Sequence, residues 1–502
     1  MRKFRKAERV MNKHPLLPAL RELNGHKALY VDGQPFLILG LQWDCDSCYS
    51  AETMTSLMPH ARRMGCNVAS LLLAWRCVEP QEGQFDFSIL EAMLAGAREH
   101  NLRIVLVWFG AYKNACMNYA PDWVRNNPQR FRRAVDANGC ALQNFACYNC
   151  EETLQRDMTA VSAVFNYLKK YDIDHRVILF QVNNEAGLLN TARCHCDACN
   201  ALFEKNGFAD RYGGRAEEAF SAECVLVFNE RIAERAKAIL PLPCYMNAWL
   251  VGQSPGQRPG TYPSGGPVHT VLDVYRNGMH YIDFVAPDVY DAGYKNFHRR
   301  CKEYSFDGNP LFIAEHASGK GCRAELNVYY AIGQRGAIGF DPWAIDCASG
   351  TGAPLVDRVS GRWSEEAYEL LYSYAPIRDA MVPIALRQHT NDLRHWVQEP
   401  GDYEALLDFA DARVYVEYAR HSNSRGLALR MDATHYVVAG CRANVQFYDH
   451  TGSALPIRRV EQGKFEGEVF IPERKTRRER EDDTLPFRLQ DPGVYLVELE
   501  TK

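Results

Sequence analysis

Eight short apolar runs, each ending in polar or aromatic residues, limit what this chain can fold into more than any other feature. They are FLILGLQWD (36–44), VASLLLAW (68–75), IVLVWFG (104–110), VILFQVNNE (177–185), CYMNAW (244–249), FVAPDVY (284–290), LFIAEH (311–316) and GAIGFDPW (336–343). Continuous apolar runs of this length suit strands buried on both faces, as in parallel sheets. Between them, residues 53–65, 88–101, 154–171, 222–240 and 325–336 carry apolar side chains at three- and four-residue spacing, which predicts helices. Eight strands alternating with helices predict an α/β fold, a (β/α)₈ TIM barrel with inserted loops. An open doubly wound sheet is the alternative, but no glycine-rich phosphate turn follows the first run.

The texture changes after a last helical segment at 364–381. From about residue 390, alternating patterns at 414–419, 426–431, 435–440, 444–449 and 493–500 predict a small antiparallel β domain. We therefore expect a catalytic-type barrel over 1–385, with a short N-terminal extension, and a sandwich-like β domain over 386–502. The charged run PERKTRREREDD (472–483) mixes signs and reads as a solvated loop.

Formal net charge is −4, so no global basic field attracts nucleic acid or an anionic membrane. No apolar run approaches the roughly 20 residues of a membrane span. The basic start lacks the apolar core of a signal peptide. The 17 cysteines are odd in number, in a chain long enough to be stable without disulfides. Free thiols in a reducing cytoplasm are the expectation.

In a barrel, chemistry gathers where strands give way to loops. Glu185 ends the fourth run, preceded by Asn184, and Glu315 ends the seventh. Two carboxyls from opposite sides of a barrel mouth suit a retaining glycosidase. That chemistry needs one protonated carboxyl as acid and one ionised carboxyl as nucleophile, about 5–5.5 Å apart. Glu185 is the expected acid/base, Glu315 the nucleophile, and Asn184 a grip on the sugar's 2-hydroxyl. Trp75, Trp108, Tyr290 and Trp343 stand at strand ends, where each either stacks on a sugar or packs as a lid on the barrel. Glu79 either binds a hydroxyl or holds its own loop. Asn247, Asp288 and Asp346 end strands five, six and eight, and Lys113 and Asn114 follow strand three; these are weaker candidates for substrate contact. The cluster Cys194-x-Cys196-x-x-Cys199 supplies three thiols, and a fourth ligand would complete a tetrahedral zinc site with no open position for chemistry.

These motifs resemble the clan of (β/α)₈ retaining glycoside hydrolases with Asn-Glu after strand four and Glu after strand seven. WRCVEPQEGQFDFS (75–88) is similar to a signature shared by families 35 and 42, and several further segments resemble a bacterial branch usually placed with family 35. That branch typically has Glu where this chain has Asn183. The resemblance implies exo-cleavage of terminal β-galactosides with net retention, no catalytic cofactor, Trp343 as a stacking floor and Tyr290 orienting the nucleophile. It is compatible with a homo-oligomer. The cysteine cluster resembles family 42, where a partner cysteine lies some forty residues earlier. Cys147 matches it, with Cys150 as the alternative, giving a structural zinc on Cys147, Cys194, Cys196 and Cys199. Three other functions remain in view: the same mechanism on another β-glycoside, a non-catalytic carbohydrate-binding barrel, and a zinc-dependent hydrolase. The intact carboxyl pair argues against the second, and the closed thiolate set against the third.

Overall fold

A computed structural model describes residues 15–252, 254–291, 293–346, 354–419, 422–475, 484–489 and 491–500. The eight apolar runs form eight strands, β1 (Ile38–Gln42), β2 (Val68–Ala74), β3 (Arg103–Phe109), β4 (Val177–Gln181), β5 (Cys244–Trp249), β6 (Phe284–Val289), β7 (Phe312–Ala317) and β8 (Gly339–Trp343). They close into one barrel in sequence order. Every neighbouring pair is parallel, including the closure of β8 onto β1. Nearly every strand residue is buried. Side chains fill one face of the ring and surrounding helices cover the other, so the alternation of a half-exposed strand is absent.

The helices include α1 (Ala51–Arg63), α2 (Ser88–Glu99), α3 (Glu151–Tyr171), α4 (Asp197–Lys205), α5 (Ala216–Ile239), α6 (Tyr294–Tyr304) and α7 (Glu365–Asp379), of which α4 and α6 were not among the segments predicted from spacing. The Ser50 and Ser364 hydroxyls cap α1 and α7 by accepting backbone N–H groups of Thr53 and Ala367. The pattern at 325–336 does not form one continuous α-helix. Ala324–Tyr329 runs into a π-helical turn, Tyr330–Gln334, where Gly333 packs against Leu427 and His395 with no room for a Cβ. No helix among the described residues is long and apolar enough to cross a membrane.

Ahead of the barrel, Ala19–Leu23, His26–Val31 and Gln34–Pro35 pair as a three-stranded antiparallel sheet that the sequence pattern did not reveal. Two type of turn residues mark it, with Asn24, Gly25, Asp32 and Gly33 all at positive φ. After α7 and a short helix (Met381–Arg387), two antiparallel sheets follow. One has six strands and includes β9 (Leu393–Val397), β10 (Arg425–Arg430), β11 (His435–Cys441) and β12 (Gly493–Leu499); the other has four. Residues 472–475 of the charged run end a strand of the larger sheet, Val469–Lys475, rather than opening a loop. Residues 476–483 lie outside those described.

Over β10, β11 and β12 the six-stranded sheet is buried on both faces. Leu427, Leu429, Val437, Ala439 and Val494 belong to the core that is continuous with the barrel. Their alternating neighbours Ala428, Tyr436, Val438, Tyr495 and Val497 belong to the core between the two sheets. Period-two alternation therefore sorts one sheet's side chains into two cores. Arg425 of β10, fully buried, crosses to α7. Its guanidinium donates to the Ser373 hydroxyl (2.7 Å) and to the Glu369 carboxylate and carbonyl (2.8 Å each). Arg442 holds the other carboxylate oxygen of Glu369 at 2.6 Å. Arg425→Ala would leave these acceptors short of a donor and is expected to lower unfolding stability by about 3 kcal/mol. Urea denaturation checks this; a loss below about 1 kcal/mol would mean the crossing does not couple the two parts.

Candidate active site

The C-terminal ends of the strands open into a cavity of about 650 Å³. Glu185 and Glu315 line it, with Gln42, Lys113, Asn184, Asp288, Tyr290 and Trp343 among the other walls. Strand β4 ends at Gln181, so Glu185 lies beyond the regular strand. Asn183 and Glu185 both have left-handed backbone, φ 58° and 46°. Asn tolerates that region, whereas Glu seldom adopts it without support from its surroundings. Three contacts supply that support. The Glu185 N–H donates to Asn247 Oδ1 (2.8 Å), its carbonyl accepts from the Ala115 N–H (3.1 Å), and the Asn184 carbonyl accepts from the Asn114 N–H (3.0 Å). The loop after β3 thus runs alongside the tip of β4.

Glu315 lies within β7, directly paired in register with Asp288 of β6. One carboxylate oxygen from each of Glu185, Asp288 and Glu315 falls within 4.8 Å of the other two. Three buried acids this close cannot all ionise freely, and their surroundings differ. Glu315 accepts from the Tyr290 hydroxyl at 2.6 Å and from Gln42 Nε2 at 3.3 Å. Burial pushes its pKa up, while Tyr290, Lys113 and Gln42 pull it back. Burial, then the charge of Glu315, pushes Glu185 up to about 8, against a smaller opposing pull from Lys113. Asp288 is driven well above the usual carboxylate range by burial and by both glutamates.

Asn184 lines the same cavity. Its Oδ1 accepts from Gln181 Nε2 (2.9 Å) and from Asn247 Nδ2 (3.0 Å), which fixes the amide with its NH₂ toward Asn114 and the cavity. Tyr290 and Trp343 line the cavity. Five residues weighed as substrate contacts sit elsewhere. Trp75 is fully buried, and its indole N–H donates to Glu79 Oε2 at 2.8 Å. The other Glu79 oxygen accepts the Gly83 N–H at 2.7 Å, so Glu79 staples its own loop. Trp108 is also fully buried and donates to Asp157 Oδ1 at 2.8 Å. Asp157 Oδ2 takes the Ala111 N–H at 2.9 Å, so this pair braces the loop after β3. Asn247 is buried behind Asn184 and Asp288, donating to both, and acts as their brace. Asp346 is likewise spent on Ser47 (2.5 Å) and Arg358 (2.6 Å).

Gln42, Phe109, Tyr119 and Trp249 line the cavity without having been singled out from sequence. Gln42 had a usable signal, a lone amide closing an otherwise apolar strand. Lys113, the only cation among the described residues of the wall, was marked and comes close enough to act on both glutamates.

A second constellation joins Cys147, in the connection between β3 and α3, to the loop after β4. The Cys147 Sγ stands 3.7 Å from Cys194, 3.9 Å from Cys196 and 3.6 Å from Cys199. A Zn–S bond of about 2.3 Å places tetrahedral thiolates about 3.8 Å apart, so the four sulfurs fit zinc. Donors are also aimed at them. Asn149 Nδ2 reaches Cys199 at 3.2 Å, the Val135 N–H reaches Cys194 at 3.4 Å, and Arg132 reaches Cys147 at 3.8 Å. N–H groups directed at sulfur support the thiolate form that a metal requires. Cys150 is not in the set; its thiol faces the Arg130 carbonyl.

The fold itself is shared with solved structures of low sequence identity. The β-galactosidase of the psychrophilic Marinomonas ef1 superposes with a TM-score of 0.52 at 14% identity, over 68% of this chain and 60% of that one. The catalytic domain of a β-amylase from Paenibacillus polymyxa superposes with a TM-score of 0.52 at 12% identity, over 66% and 96%. The barrel is therefore common to more than one glycoside-cleaving chemistry.

Sequence similarity is narrower. Residues 46–220 match the sequence model of glycoside hydrolase family 42, described as "Beta-galactosidase", and residues 370–476 match a domain of unknown function, DUF5597. The first match contains both Glu185 and the cysteine cluster. β-Galactosidase Bga of Halorubrum lacusprofundi is 27% identical over 146 residues, 28% of this chain and 19% of that protein. β-Galactosidase BgaA of Clostridium cellulovorans is 27% identical over 149 residues, 28% and 20%. These alignments span about a fifth of the length of the curated relatives. The similarity is to clan A β-galactosidases, and within them to family 42.

The Tyr290 hydroxyl is the stronger donor to Glu315. A hydrogen bond to a charged group is worth about 1.5–3 kcal/mol. Tyr290→Phe is therefore expected to raise the Glu315 pKa by about one to two pH units, read by ¹³C-carboxyl NMR titration. An unmoved titration would show that Tyr290 does not hold the carboxylate.

Proposed function

We propose that this chain is a retaining exo-glycosidase that removes terminal β-galactosyl residues. The observation that carries the proposal is the buried pair Glu185 and Glu315, oxygens within 4.8 Å, in unlike surroundings. That spacing suits direct attack by a carboxylate and is too tight for the intervening water of an inverting enzyme. Galactose as the sugar is supported by the named relatives.

In the resting site Glu185 keeps its proton, disfavoured as an anion by burial and by its carboxyl neighbours. Glu315 is the ionised member, held by Tyr290 and Gln42. Glu185 gives its proton to the glycosidic oxygen as Glu315 Oε attacks the anomeric carbon. The C–O bond to the aglycone breaks and a glycosyl ester to Glu315 forms. Glu185, now ionised, takes a proton from water, whose oxygen attacks the same carbon and releases Glu315. Two inversions give net retention. Asn184, its amide oriented by Gln181 and Asn247, reaches the 2-hydroxyl, where a hydrogen bond strengthens as positive charge develops on the sugar. Trp343 supplies the stacking floor. No cofactor takes part.

We also assign a structural zinc to Cys147, Cys194, Cys196 and Cys199. Four thiolates fill its shell and leave no position for a reacting water, so when bound it would supply only a cross-link between Cys147, just ahead of α3, and the loop that follows Glu185.

Glu315→Ala is expected to abolish hydrolysis of nitrophenyl β-galactoside, and azide should then restore turnover with an α-galactosyl azide product by NMR. Full activity in that variant would reject the nucleophile. In the same assay, turnover of a different nitrophenyl glycoside in place of the galactoside would keep the mechanism and replace the sugar.

The acid must be protonated to act, and its pKa is pushed up to about 8. kcat/KM is expected to hold through neutral pH and to fall about tenfold per pH unit above about 8. Glu185→Gln should lose that alkaline limb, and should slow glycosides with poor leaving groups far more than activated ones. Equal slowing of both would mean Glu185 is not the acid.

A further inference from the structure

We propose that Tyr148 is a positioning residue that couples the cysteine cluster to the backbone of Glu185. This inference rests on the assignments of Glu185 as acid/base and of the cluster as a zinc site. It gives the cluster a part in setting the acid's position, beyond holding a loop together.

The geometry is a double clamp made by two consecutive residues. Cys147 faces Cys194, Cys196 and Cys199. Tyr148, next in the chain, reaches the same loop nearer its start. Its hydroxyl accepts the Gly187 N–H at 2.7 Å and returns its proton to the Gly187 carbonyl at 3.2 Å. Gly187 is two residues beyond Glu185, so both ends of the segment between the acid and the cluster are gripped from one short stretch of chain. The stretch itself is fixed by the Cys147 N–H donating to the Arg132 carbonyl (2.9 Å) and the Cys150 N–H donating to the Cys147 carbonyl (2.9 Å).

Gly187 has little freedom to respond on its own. It has φ 151°, and a Cβ there would stand 2.6 Å from Pro263. Leu188 and Ser264 exchange two backbone hydrogen bonds, at 2.9 and 2.8 Å. The Tyr148 ring is buried, stacked on Tyr112 at 3.9 Å between centroids and 9° between planes, with the Phe228 edge beside both. Tyr112 in turn touches the other side of the acid's segment. Its carbonyl accepts the Asn184 N–H at 3.3 Å, and its N–H donates to Asn183 Oδ1 at 3.3 Å. The stacked tyrosines therefore flank residues 183–187 from both ends. Glu185 sits between them in a left-handed conformation that relaxes if either grip is lost.

Opening the cluster, by loss of metal or oxidation of a thiol, frees Cys147 and with it the anchor of the Tyr148 ring. The expected consequence is a displaced acid with the nucleophile untouched, because Glu315 is held from β1 and β6 by Gln42 and Tyr290.

The test compares wild type, chelator-treated wild type, Tyr148→Phe and Cys194→Ser by three readouts. Metal analysis is expected to give one zinc per chain in wild type and in Tyr148→Phe, and none after chelation or in Cys194→Ser. Amide hydrogen exchange at Gly187 should rise about tenfold in all three altered proteins, since each loses or loosens one buried hydrogen bond. Hydrolysis should slow about tenfold for glycosides with poor leaving groups and less than about twofold for activated ones. Tyr148→Phe should add little to Cys194→Ser, because both act through one contact. Gly187 exchange left at the wild-type rate in Tyr148→Phe, or after chelation, would overturn the coupling, as would additive effects. Cys194→Ser can fail to fold, but the chelated wild type and Tyr148→Phe carry the same comparison. If the exchange results hold while Glu185→Gln shows no leaving-group selectivity, it is the acid assignment that fails. If no zinc is found, it is the metal assignment.

Discussion

Two carboxyls buried within 4.8 Å of each other, with a third beside them, are the constraint around which the rest of this protein is arranged. Taking a carboxylate out of water is costly, and placing a second charge beside it adds to that cost. The site meets both costs by treating its acids unequally. Glu315 receives a tyrosine hydroxyl and a glutamine amide, while Glu185 has another carboxyl for a neighbour. The difference between the two glutamates then follows from which elements supply donors. Gln42 comes from β1 and Tyr290 from just beyond β6, so Glu315 on β7 is served from elsewhere in the ring. Glu185 is reached on its backbone by Asn247 of β5 and by the loop after β3.

A closed barrel makes such an arrangement rigid because every strand end is fixed by two neighbours. The tip of β4 nonetheless has to leave the regular strand. Asn183 and Glu185 adopt positive φ, and the polar network of Gln181, Asn183, Asn184, Asn229 and Asn247 holds them there. These amides form a buried network in which one side chain's donor meets the next one's acceptor. Such a network fixes orientation rather than adding much stability. It also explains the abrupt change from Ile178–Phe180 to consecutive amides. The apolar residues build the post, and the amides aim Glu185.

Much of this was legible in the sequence because it depends on periodicity and on short spacings. The eight runs, the Asn-Glu pair, Glu315 and the Cys-x-Cys-x-x-Cys cluster all appear where the chain pattern puts them, whereas Cys147, 47 residues before Cys194, came from the family resemblance and not from spacing. What could not be read was the direction of side chains at strand ends. Trp75 and Trp343 occupy similar positions in the pattern, yet Trp75 turns into the core toward Glu79 and Trp343 faces the cavity. Trp108 similarly finds Asp157 on α3, a partner 49 residues away that no local pattern announces. Asn247 shows the same ambiguity one layer deeper, since an amide at a strand end can touch the ligand or hold the residue that does. The antiparallel sheet before β1 was missed because its strands are short and partly polar, so its turn residues were its main signal.

The β domain raises a different question, whether it is an appendage or part of the barrel. Its larger sheet has no solvent face over β10, β11 and β12. One set of side chains joins the barrel core and the alternate set joins the inter-sheet core. A sheet buried on both faces has no stable exposed state if either layer is removed, because a contiguous apolar surface would then meet water. Arg425 reinforces the point, since a fully buried guanidinium is tolerated only where its acceptors are fixed, and those acceptors belong to α7. Helix α7 packs against the larger sheet and gives Ala367, Leu370, Tyr374 and Ile377 to the core that is continuous with the barrel. The two parts therefore form one cooperative structure, and the rigidity at the mouth of the barrel draws on packing that extends well beyond the eight strands.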